Sequence, residues 1–118
     1  MKDSELRTRA KNLALKVISV CDGIDTKKGR SVLVNQIIRS ATSIGANIHE
    51  ANYAASKADF INKFQIALKE CYESDYWLGL FKDTKMITEY EYSDMYEKCS
   101  KIRRLLIASV TTAKTKEK

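Results

Sequence analysis

Apolar residues recur at intervals of three and four along most of the chain, the spacing that gathers them on one side of an α-helix. Leu6, Ala10, Leu13, Val17, Val20 and Ile24 mark a first amphipathic helix. Asp3 or Ser4 is placed to cap its start, and Gly23 offers a stop near its end. A short loop, roughly residues 25–29 (DTKKG), leads to a second helix from about Arg30 to Tyr53. Ser56 to Asp59 reads S-x-x-D, a capping-box-like start for a third helix. Thr88 to Glu91 is a cleaner capping box for a fourth, in which Tyr92, Met95, Cys99, Ile102, Leu106 and Ser109 keep a heptad-like rhythm. No stretch shows strand-like alternation. Short connections between long helices make antiparallel neighbours, so the expected fold is all-α, an antiparallel up-down four-helix bundle. It should fill residues 1–113 as one domain, with residues 114–118 (KTKEK) a frayed basic tail that has nothing to bury.

The second helix carries an unusual polar stripe. At 100° per residue, Gln36, Ser40, Ser43, Asn47 and Glu50 fall within about 80° of one another. Leu33, Ile37, Ala41, Ile44 and Ile48 occupy the adjoining arc. A surface helix ordinarily opposes its core face with Lys and Glu. Small hydroxyls and amides beside the apolar arc instead point to close packing against another helix, with polar groups paired across the contact. Counting back through the turn near residue 55 sets Glu70 and Glu73 level with Gln36, Arg39 and Ser40. An Arg39–carboxylate pair joined by serine hydroxyls satisfies those charges.

Two carboxylates with polar neighbours also suggest acid–base chemistry. Nothing completes such a site: His49 is the only histidine, and no nucleophile–base pair, Gly-rich phosphate loop or metal spacing is present. A ferritin-like metal site needs Glu-x-x-His pairs from two helices, which one histidine cannot supply. Gln36, Arg39, Ser40, Ser43, Asn47, Glu50, Glu70 and Glu73 are therefore expected to form a structural network, with no catalytic residue, cofactor or metal. Asp75 lies inside the main apolar arc of the third helix and Arg103 lies beside Cys99 and Val110 on the fourth. Both are awkward unless paired. Turn counting separates them by about one and a half turns, so different partners are expected.

The third helix has more apolar surface than one stripe needs. Phe60, Phe64, Ala67, Leu68, Cys71 and Leu78 cover one arc, while Ile66, Trp77, Leu80 and Phe81 fall on another. Burying Trp77 and Phe81 removes on the order of 300–500 Å² from water, worth several kcal/mol at about 25 cal/mol/Å². Ile66, Trp77, Leu80 and Phe81 are thus expected to join copies of the chain, unless loops or helix ends cover them.

Composition narrows the class further. With 118 residues, no Pro and four Gly, the chain suits one domain of unbroken helices. Apolar residues make up 44% and charged residues 31%, in keeping with a globular domain. No apolar run approaches a membrane span, and MKDSELRTRA lacks the apolar core of a signal peptide, so a cytoplasmic location is expected. Cys21, Cys71 and Cys99 are widely spaced on apolar faces and read as core residues rather than ligands or a disulfide framework.

Net charge is +6, with about +4 in residues 1–54 and +2 in residues 89–118. A basic balance favours acidic partners, nucleic acid first; the alternative is that it serves solubility alone. Arg9, Lys11 and Lys16 on the first helix, with Lys98, Lys101 and Arg104 on the fourth, are the expected phosphate contacts. RNA-recognition signatures are absent, and the aromatic residues of the third helix look taken up by packing, so any such binding should ignore sequence.

The run QIIRSATSIGANIHEA, followed by SKADFINKFQIALKECYESDYWL, resembles the four-helix proteins encoded in intervening sequences of bacterial 23S ribosomal RNA genes. The resemblance covers nearly the whole chain and is densest from Gln36 to Leu78. Its small polar run falls on Arg39, Ser40, Ser43, Ile44, Asn47 and Glu50. The second signature falls on Phe60, Ala67, Lys69, Glu70, Glu73, Trp77 and Leu78. His49 stands where the family pattern has a small residue. The resemblance implies a four-helix protomer in a ring-shaped homopentamer, without enzymatic activity. It also implies kinship with the accessory variability determinant of diversity-generating retroelements, a basic barrel that engages nucleic acid and a reverse transcriptase. Two readings stay open: an oligomeric module that touches RNA or DNA phosphates, and a scaffold for a partner protein with no nucleic-acid contact.

Overall fold

A computed structural model describes residues 2–116, with side chains from Glu5 onward. Four helices fill it: α1 (Lys2–Asp22), α2 (Arg30–Ala51), α3 (Lys57–Asp83) and α4 (Glu89–Lys116). Each packs against its neighbours in the chain, and α4 closes the bundle against α1. The result is a rod of 52 × 23 × 19 Å. No strand occurs among the described residues.

Helix ends follow local chemistry. Ser56 caps α3, its hydroxyl accepting from the Asp59 N–H at 3.0 Å. The Asp59 carboxylate reaches one residue further back than a full capping box would, accepting from Ala55 N–H at 3.2 Å. At α4 the reciprocal box closes: Glu91 N–H donates to Thr88 Oγ1 (3.0 Å) and Thr88 N–H to Glu91 Oε1 (2.9 Å). Gly29 enters α2 at φ +80°, a left-handed conformation that glycine adopts without steric cost. Three expected boundaries move. The first helix already includes Asp3 and Ser4, so neither is its cap. The second ends at Ala51 rather than Tyr53, and α4 continues to Lys116, past the expected boundary at residue 113. Glu117 and Lys118, the end of the expected tail, lie outside the described residues.

The core repeats every three and four residues. On α2 it takes Val34, Ile37, Ala41, Ile44, Ile48 and Ala51; on α3 it takes Phe64, Ala67, Cys71, Ser74, Leu78 and Phe81. That is a heptad seam, and it places Phe81 inside the protomer at 1% exposure. Phe81 is therefore a core residue and not an interface residue. Ser74, a polar residue at a seam position, obscured the phase. The three cysteines are buried within the same core. Burial pushes the Cys21 thiol up to about 11, so it stays protonated and acts as packing. Between α1 and α2 the contact is made by small residues: a methyl added at Gly45 would lie 3.5 Å from Ala10 Cβ.

Candidate functional site

The polar stripe of α2 faces α3. Arg39 is the hub, donating through Nη1 to Glu70 Oε1 at 3.4 Å, through Nη2 to Glu73, and through Nε to Gln36 Oε1 at 3.4 Å. Ser43 donates to Glu70 at 3.4 Å, and the Asn47 amide donates to the Ser43 carbonyl and hydroxyl at 2.9 and 3.2 Å. Trp77 Nε1 donates to Glu73 at 3.0 Å. That indole bond, with the Arg39 guanidinium beside it, holds the Glu73 carboxyl below its usual range. Both carboxylates accept from more than one donor: Glu70 from Arg39 and Ser43, and Glu73 from Arg39 and Trp77. Two members of the expected network stand apart. Ser40 is buried and pairs with Ser74 at 2.9 Å, while Glu50 pairs with Lys63 at 3.0 Å nearer the α2–α3 turn.

A second polar contact joins α3 to α4. Arg103 donates to Asp75, which corrects the expectation of separate partners. Helical side chains lean toward the N-terminus of their own helix. In an antiparallel pair these leans converge: Arg103 reaches back toward Cys99, and Asp75 toward Cys71, which Cys99 faces across the seam. Cα-level turn counting overstates the gap. Arg103 also donates to Ser100 Oγ at 3.2 Å. Asp75 Oδ1 is buried and has no hydrogen-bond partner among the described residues. Burial raises the Asp75 carboxyl above its usual range despite the opposing guanidinium.

The basic residues divide between two faces. Arg9 and Lys98, with Asn12, line a cleft of about 150 Å³ between α1 and α4. Arg9 is bonded to Glu5 at 2.8 Å, and Asp94 receives Lys98 at 2.7 Å and Lys16 at 3.8 Å. The positive charge of Lys101 is felt at Glu5, so it lies along the same seam. Arg104 on α4 bonds Ser100 Oγ at 2.8 Å. Lys11 does not share this seam. It lines a groove of about 360 Å³ between α1 and α2, with Arg7 and His49.

The sequence profile described as 23S rRNA-intervening sequence protein matches residues 2–108. The chain belongs to that family. Among solved structures it is similar to a protein of unknown function from the S23 ribosomal protein family of Bacteroides thetaiotaomicron VPI-5482, at 39% identity. The match covers 94% of this chain and 99% of that one, with a TM-score of 0.86. No curated protein matches.

Within this intervening-sequence protein, the residues expected to join copies are largely covered in the single protomer. Ile66, Trp77 and Leu80 are half-buried, Trp77 against the core. The large apolar side chains that do reach solvent include Leu15, Ile18, Val32 and Ile107, together with Tyr72 and Tyr76. Those two tyrosines overturn the expectation that packing takes up all the aromatic residues of the third helix. Their signal in the sequence is the i, i+4 repeat, matched on α4 by Tyr92 and Tyr96. Among the described residues no helix is long and apolar enough to cross a membrane, and no three His, Cys, Asp or Glu side chains gather as metal ligands.

Proposed function

We propose that this family member is a non-catalytic, self-associating four-helix rod that holds nucleic-acid phosphates on the basic α1–α4 seam without reading sequence. The observation that carries the reading is the meeting of cations from two antiparallel helices at the cleft of Arg9, Asn12 and Lys98, with Lys16, Lys101 and Arg104 on the same two helices. The Arg9–Glu5 pair is exposed and the Asp94 pairs are partly so, and a phosphate can compete with such carboxylates at modest cost. Self-association is supported by apolar surface left in solvent at Leu15 and Ile18 on α1 and Val32 on α2. Ile66, Trp77 and Leu80 on α3 are half-buried, so part of their apolar surface also stays open to a neighbouring copy. Two unlike patches suit head-to-tail contacts, which close into a ring where the rotation between copies permits, and five copies is the number the family resemblance implies.

The test is an anisotropy titration with labelled RNA and DNA at two salt concentrations, beside native mass and the absorbance ratio of the purified protein. Affinity should fall steeply with salt and vary little with sequence. No binding at low salt removes the phosphate reading, and a clean monomer removes the ring. A scaffold for a partner protein is the second reading. It is favoured by Asp94, which already pairs with both Lys16 and Lys98; the same titration separates the two.

A further inference from the structure

The α3–α4 side of the rod carries an aromatic strip that neither the polar network nor the basic seam uses. Tyr72 and Tyr76 stand one turn apart on α3, at 54% and 64% exposure. Facing them on α4, Tyr92 and Tyr96 stack on each other with centroids 5.6 Å apart and planes 24° from parallel. Trp77 meets Tyr76 edge-on at 5.1 Å. Cations are interleaved with the rings. The Arg103 guanidinium lies 5.5 Å from the Tyr72 ring and 5.9 Å from Tyr96, and Lys82 sits 4.5 Å over Tyr92. Lys69 precedes Tyr72 by one turn, and Arg104 follows Tyr96 by two.

Of the acids that border the strip, Asp75 is paired with Arg103 and Glu73 with Arg39, while Asp83, Glu89 and Glu97 are exposed toward its ends and edge. Solvent-facing tyrosines have little to gain from water, and tyrosine with arginine is a pairing suited to flat, electron-rich, negatively charged partners. A duplex hides the faces of its bases, so rings on a convex rod can stack only on unpaired ones.

We infer that Tyr72 and Tyr76, with Tyr96 and Arg103 beside them, form a stacking platform for the bases of single-stranded nucleic acid. The platform rests on the phosphate-binding reading above and extends it: Arg104 is shared with the α1–α4 cations, and Lys69 and Lys82 on α3 add backbone contacts while the rings take the bases. It adds what the basic seam alone does not supply: a preference for single strands over duplexes, tolerant of sequence because every base has a π-face.

The experiment titrates labelled oligo(dT), oligo(U) and a DNA duplex of equal length with the wild-type chain, a Tyr72→Ala/Tyr76→Ala variant and a Tyr72→Phe/Tyr76→Phe variant. Both positions are exposed, so unchanged thermal melting certifies the fold. Single strands should bind tighter than the duplex. The alanine pair should lose about tenfold or more in single-strand affinity with duplex affinity unchanged, and the phenylalanine pair should retain the wild-type preference. Equal affinity for single strands and duplex, or no loss in the alanine pair, overturns the platform while leaving the phosphate reading intact. A drop in native mass for the alanine pair also overturns it, because the strip is then a contact between copies. Absence of wild-type binding to any of the three probes at low salt removes both readings together.

Discussion

The two polar seams that flank α3 solve the same problem in different ways. On the α2–α3 side Arg39 is 48% exposed and shared among Gln36, Glu70 and Glu73. Trp77 and Ser43 supply further donors to the same carboxylates. On the α3–α4 side Arg103 and Asp75 are 16% and 18% exposed, and one Asp75 oxygen has no donor among the described residues. The first seam is redundant and wet. The second is more enclosed, and Asp75 there relies on Arg103 alone for its ion pair. Enclosure strengthens an attraction but strengthens the cost of losing it more, because the surviving charge cannot return to water. The seam with fewer bonds is therefore the more fragile.

Removing Arg103 is the sharpest way to expose that contrast. Arg103→Leu should destabilise the protomer by about 3 kcal/mol, most of it the penalty of leaving Asp75 buried and ionised. The midpoint of urea unfolding measures it. Adding Asp75→Asn should recover a large part of the loss, since the amide carries no charge to strand. A double variant no better than the single would show that the arginine acts through packing on Tyr72 and Tyr96 instead.

Space rather than charge sets the next effect. Ser43 is half-buried on the α2–α3 side, donating to Glu70 and accepting from Asn47. Ser43→Leu should cost about 1–3 kcal/mol by overfilling that contact. An unchanged melting midpoint would mean the seam has slack.

Much of this architecture is written in plain periodicity. Helix number, order and capping at Ser56 and Thr88 follow from local patterns that no tertiary contact reverses. The α2–α3 cluster was legible too, because Arg39, Glu70 and Glu73 face each other across a short turn whose length fixes the register. Two things were hidden for physical reasons. Ser74 interrupts the apolar heptad of α3, so Phe81 reads as belonging to a second stripe when it continues the first. Asp75 and Arg103 read as separated because sequence counting locates backbones, whereas long side chains lean, and in antiparallel helices they lean toward each other. The tyrosine strip was hidden for a third reason. An exposed ring and a buried ring look alike in a sequence until the neighbouring helix shows which side it covers.

A smaller effect separates the wet seam from the enclosed one by the same kind of deletion. Arg39→Ala leaves Glu70 and Glu73 near water, with Trp77 and Ser43 still donating to them. Its cost should stay at or below about 1 kcal/mol, and added salt should shrink it further. A loss comparable to that of Arg103→Leu, unaffected by salt, would erase the distinction between the seams.

Acid titration should give the smallest signal and the one with opposite signs on the two sides. Glu73 is held below the usual carboxylate range by Trp77 and Arg39, so its native state binds its proton more weakly than the unfolded chain does. Its contribution is present above the ordinary glutamate range and fades as pH falls through the lowered value. Asp75 is raised by burial, so its native state binds the proton more tightly, and stability falls as pH climbs from the ordinary aspartate range through the raised value. Urea midpoints between about pH 3 and about pH 7 should therefore diverge. The gap between wild type and Glu73→Gln should widen with rising pH, in the wild type's favour. The gap between wild type and Asp75→Asn should move the other way, the variant gaining on the wild type as pH rises. If both gaps move in the same direction, Asp75 is better solvated than its enclosed position implies, and the two seams differ in geometry alone.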